Sequence, residues 1–101
     1  MATVQRGDES ITVSSTAIGF TAAELIAAVN SAAVFVESGG PIRYNAVTTP
    51  TGDGSEGSPL VYAGSILTVT GSEDLRRIKF IVKTGSGDAT LRVLYYGDGR
   101  S

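Results

Sequence analysis

The pattern of apolar and polar positions is clearest near the C-terminal end of the chain. There Ile78, Phe80 and Val82 alternate with Arg77, Lys79 and Lys83, and Leu91, Val93 and Tyr95 alternate with Thr90 and Arg92. A period of two puts every second side chain on one face, so each run predicts a strand with one buried side. Between them lies Thr84-Gly-Ser-Gly-Asp88, a Gly-rich turn, and the segment as a whole predicts an antiparallel hairpin.

Shorter runs of the same kind precede it. Ile11 and Val13 alternate with hydroxyl residues over 10–16, the β-branched and aromatic segment 32–37 reads as a second strand, and Ser38-Gly-Gly-Pro41 turns the chain into a hairpin partner over 42–47. Residues 60–62 and 66–70 add two further strands. One segment reads as helix: Thr21 followed by Glu24 forms a capping box ahead of an alanine-rich stretch, predicting a short helix over 22–29. About seven short strands with one short helix place the chain in the all-β class, as an antiparallel β-sandwich or small barrel. The expected core is Ile11, Val13, Phe35, Ile42, Tyr44, Leu67, Val69, Ile78, Phe80, Val82, Leu91 and Val93. Residues 1–9 lack periodicity and read as a flexible arm, 10–97 as one domain and 98–101 as a tail. Residues 48–59 carry no large apolar side chain and read as a long loop, mobile or ordered by a partner.

Composition agrees with short strands and many turns: 35 of the 101 residues are Gly, Ser or Thr. With no apolar stretch of the ~20 residues a membrane span requires, no membrane partner is expected. A net charge of −2 argues against general nucleic-acid binding, which needs a basic excess. The charge is uneven, however. Five basic residues fall between Arg76 and Arg92, either as a solvated face guarding a sheet against aggregation or as a surface for an acidic partner.

Candidate chemistry is sparse. The chain has no His and no Cys, which removes serine-triad, cysteine-nucleophile and ordinary zinc mechanisms, so no enzyme activity and no cofactor are expected. Asp53 and Glu56 share a loop but read as turn residues; with Ser55 they could offer oxygens to calcium, although the EF-hand spacing is missing. The loops 52–57, 85–87 and 97–99 are Gly-rich without the Lys-Ser/Thr ending of a phosphate-binding loop. Arg6-Gly7-Asp8 matches a cell-adhesion tripeptide in a segment expected to be exposed. Tyr95 and Tyr96 are adjacent and must face opposite sides, leaving one at the surface, where beside Arg92 it could stack on a sugar ring.

Taken in order, Phe35-Val-Glu37, Pro41-Ile-Arg-Tyr44, Gly64-Ser-Ile-Leu-Thr-Val69, Leu75-Arg-Arg-Ile-Lys-Phe-Ile81 and Ala89-Thr-Leu-Arg-Val-Leu-Tyr95 resemble a group of small tailed-bacteriophage proteins, over about residues 32–96. The resemblance implies a structural virion protein without an active site, of the capsid decoration (cement) type, on the outer capsid with the major capsid protein as partner. It also suggests a homo-oligomer, with a trimer as one form. The candidate partner contacts are Arg77, Lys79, Lys83, Arg92, Tyr96, Asp53 and Glu56. The alternative expectation is a phage tail or fibre module that binds host-surface glycans.

Overall fold

The computed structural model describes residues 3–25 and 28–98. Its strands, in chain order, are β1 (Thr3–Val13), β2 (Ile18–Gly19), β3 (Val29–Ser38), β4 (Ile42–Asn45), β5 (Leu60–Val61), β6 (Ile66–Thr70), β7 (Lys79–Val82) and β8 (Ala89–Asp98), with one α-helix, α1 (Ser72–Arg77). They form two four-stranded antiparallel sheets, the first in the order β1-β8-β3-β6 and the second β2-β7-β4-β5. The all-β sandwich anticipated from the alternation is present, with the two-residue β2 as the additional strand.

Neither expected hairpin forms. β7 lies in the second sheet between β2 and β4, while β8 lies in the first between β1 and β3. The connection over 83–88 turns on Ser86 N–H donating to the Lys83 carbonyl at 2.9 Å, with Gly85 at φ +87°. It carries the chain across the ~10 Å between packed sheets. Residues 39–41 do the same between β3 and β4. Alternation shows that a strand has one buried face, but not which neighbour it hydrogen-bonds. An arch satisfies the same pattern by facing Phe80 and Val82 toward Leu91, Val93 and Tyr95 across the core.

The start of the strand expected from Arg77 to Lys83 belongs instead to α1. Glu73 and Asp74 occupy its first turn and Arg76 and Arg77 its last, the arrangement that complements the helix dipole, and Leu75 is its buried residue. Conversely, the helix expected over 22–29 shrinks to a single 3-10 turn, Ala22–Glu24. Thr21 makes no capping bond because its hydroxyl donates to the Glu9 carboxylate at 2.5 Å. Residues 26 and 27 lie outside the described residues, and Val29 already begins β3. Tertiary contacts override local propensity here.

The segment expected to be a loose arm is also ordered from Thr3 onward, since β1 pairs with β8 along its length, with a bulge between Gln5 and Gly7. At the other end β8 runs to Asp98, and 99–101 lie outside the described residues.

Val13, Val34, Val36, Ile42, Leu75, Phe80, Leu91, Val93 and Tyr95 are fully buried. In β3 the inward row is Ala32, Val34 and Val36 rather than Phe35, because Val34 pairs with inward Val93 and Phe35 with outward Arg92. Tyr44 and Leu67 pack on the core but stay half-buried.

Candidate interaction surfaces

The two outer faces of the sandwich differ. On the second sheet, Arg43 pairs with Ile81 and Asn45 with Lys79, so these side chains point outward. Arg43 donates from Nε to the Gly52 carbonyl at 3.1 Å and from Nη1 to the Ser58 carbonyl at 2.8 Å; Asn45 Nδ2 donates to Ser58 Oγ at 3.3 Å. These bonds draw residues 46–59 across the face, burying Ile81, Pro50 and Ser58. Gly54 passes so close to the Arg43 guanidinium, at φ +69°, that a side chain there would collide with it. The long loop is therefore ordered by its own chain and forms a third layer.

Asp53 and Glu56 serve the loop internally. The Thr51 hydroxyl lies 2.8 Å from Asp53 Oδ1 and 2.7 Å from Glu56 Oε1, and the Ser55 N–H donates to Asp53 at 3.0 Å. The Ser55 amide and the Thr51 hydroxyl hold the Asp53 carboxyl below its ordinary pKa, and the Thr51 hydroxyl does the same for Glu56. Both carboxylates are thus bound by hydroxyl and amide donors. Among the described residues no three His, Cys, Asp or Glu side chains converge on a metal position.

Among the described residues no such layer covers the outer face of the first sheet. The registers place Gln5, Tyr96, Ser31 and Thr70 in one row, Asp8, Leu94, Ala33 and Thr68 in the next, and Ser10, Arg92, Phe35 and Ile66 in a third. Ile66 is 63% exposed, while Phe35, Leu94 and Tyr96 are half-buried. Arg92 Nε donates to Glu37 Oε2 at 3.0 Å beside Phe35. A shallow groove of about 380 Å³ runs between Phe35, Ile66, Glu37 and Arg92. The face is an apolar centre with one ion pair at its rim.

The basic residues do not form one row. Arg92 belongs to the first sheet, whereas Lys79 begins β7 in the second and Lys83 follows its last residue, and Arg77 ends α1 with its guanidinium 2.7 Å from Glu73. Arg76, Arg77 and Lys79 line a groove of about 320 Å³ with residues 46–49, where Val47 is 89% exposed. Of the proposed contacts, Arg77 and Lys79 share this groove, Arg92 and Tyr96 share the open face of the first sheet, Asp53 and Glu56 lie in the loop, and Lys83 stands apart.

At the margin of the core, Glu9 accepts hydrogen bonds from the Tyr95 hydroxyl and from the Thr21 N–H, the latter at 3.1 Å, as well as from the Thr21 hydroxyl. Burial, reinforced by the Glu9 carboxylate, raises the Tyr95 pKa well above its ordinary value. Tyr95 is thus the inward tyrosine and Tyr96 the outward one. The Arg6-Gly7-Asp8 tripeptide runs within β1, with Gly7 half-buried opposite Tyr95, and not in the loose segment expected for it.

Sequence reasoning missed the open face and the edge of β6. Alternation in 91–96 and 66–70 held the signal, but their parity became readable only once the partners were known. Comparison of the chain with known protein families, with curated proteins and with solved structures finds no match.

Proposed function

We propose that the protein is a structural binding protein that docks through the outer face of its first sheet, as a phage capsid decoration protein seated on the major capsid protein at the virion surface. The observation that carries this reading is the asymmetry of the sandwich. One outer face is covered by the chain's own loop 46–59, and the other presents Phe35, Leu94, Tyr96 and Ile66 with nothing from the described chain over them. Apolar and aromatic groups on a rigid sheet with a charged rim suit a protein contact. Repetition over a symmetric shell lets a modest affinity suffice. The absence of His and Cys from the sequence leaves few routes to catalysis.

Purified protein is expected to co-sediment with intact capsids and to raise their heat resistance. Leu94→Lys, which places a charge in the middle of the face without touching the core, is expected to weaken binding at least tenfold, about 1.4 kcal/mol. Wild-type protein that leaves capsids unbound at micromolar concentration, or a Leu94→Lys variant that binds as well as wild type, would overturn the reading. Tyr96 and Arg92 on this same face support the tail-module alternative, and a positive glycan array with no capsid binding would select it.

A further inference from the structure

The four sheet edges are unequal. β2 and β5 are two residues long, and β1 carries Arg6, Asp8 and Glu9. Short length and charge are the usual protections against edge-to-edge association. β6 has neither: its sequence is Ile-Leu-Thr-Val-Thr, and no charged residue occurs from 57 to 72.

Its backbone is poised for a partner. Val36 N–H donates to the Ser65 carbonyl at 3.0 Å and Gly71 N–H to the Asn30 carbonyl at 2.8 Å. Because hydrogen-bonded positions alternate along an antiparallel ladder, Leu67 and Val69 direct their backbone groups to β3. Ile66, Thr68 and Thr70 direct theirs away, and among the described residues these groups have no hydrogen-bond partner. Tyr62 and Ile66, 60% and 63% exposed, flank the edge with apolar surface.

We propose that β6 is a self-association edge, pairing antiparallel with β6 of a second copy about a two-fold axis at Thr68, so that two first sheets become one continuous sheet. The occupant is specified by self-complementarity. In this register Ile66 faces Thr70 of the second copy and Leu67 faces its Val69, so outward residues meet outward ones and inward meet inward. Thr68 meets its own counterpart, a favourable cross-strand pair, where any charged residue would meet a like charge. The interface is isologous and closes at two copies. A single five-residue edge buries little beside a standard protein interface, so the pairing is concentration-dependent.

Sedimentation equilibrium of the full chain tests it. Wild type is expected to be dimeric at high micromolar concentration. Thr68→Lys and Thr68→Glu, each at an exposed outward position, are expected to be monomeric with unchanged far-UV circular dichroism, and an equimolar mixture of the two is expected to recover the dimer. A monomeric or trimeric wild type, a dimeric Thr68→Lys, or folded single variants that fail to pair when mixed would each overturn the proposal. The proposal is independent of capsid binding, because Leu94 lies two strands away from this edge.

Discussion

Phe20 stands between the two most consequential aromatic side chains of the core. Its ring centroid lies 5.5 Å from that of Phe80 and 5.5 Å from that of Tyr95, tilted against the first and edge-on to the second. Phe80 comes from the second sheet and Tyr95 from the first, so the trio joins the layers. Phe80→Ala is expected to cost about 3–5 kcal/mol, through lost transfer energy and the cavity left behind, and a melting curve like that of wild type would show the inward face to be misassigned. Tyr95→Phe keeps the ring stack and removes only the hydroxyl, leaving Glu9 with its two bonds from Thr21. Its expected cost is smaller, about 1.5–3 kcal/mol, the range for a hydrogen bond to a charged group, measured as a shift in urea midpoint at constant slope.

Among the elements, the loop over 46–59 carries two carboxyls whose titration is tied to its hydrogen bonds. Asp53 and Glu56 are both held below their ordinary values of 3.8 and 4.5. A carboxylate with a lowered folded pKa contributes stability that is complete above its unfolded pKa and is lost as pH falls through the folded one. The Thr51 and Ser55 contacts are therefore expected to be intact at neutral pH and to release only in acid, those of Asp53 below pH 3.8 and those of Glu56 below pH 4.5. Carboxyl carbon chemical shifts of the two residues, followed by NMR, should give midpoints below the ordinary values, and midpoints at or above them would remove this account of the loop. The sequence revealed the length of the segment 48–59 and its lack of large apolar side chains, but not its order. That order comes from Arg43 and Asn45, which lie at the near end of β4 and look from the sequence like ordinary outward strand residues. The capping box at Thr21 misled for the complementary reason: its hydroxyl found a stronger acceptor in Glu9, 12 positions away in the chain. Local pattern therefore identified Ile11, Val13, Phe80 and Leu91 as buried, yet assigned Phe35 to the wrong side. The parity of β3 is fixed by Val93, far along the chain.

At the scale of the molecule, both arches place consecutive strands in opposite sheets, and the first sheet is held together by its last member. β8 lies between β1 and β3, making ladders with both, and without it those two strands share no edge. Such connectivity has a cost in time, because contacts between residues far apart along the chain form slowly. On the ribosome, residues 3–13 and 29–38 emerge early and must wait, apolar rows uncovered, until residues 89–98 have left the exit tunnel. The uncharged β6 is made during that wait, with its own edge open and β3 unpaired on the other side. The first sheet is thus completed late, by β8, and until then the nascent chain shows apolar rows that the finished protein covers, a form exposed to aggregation.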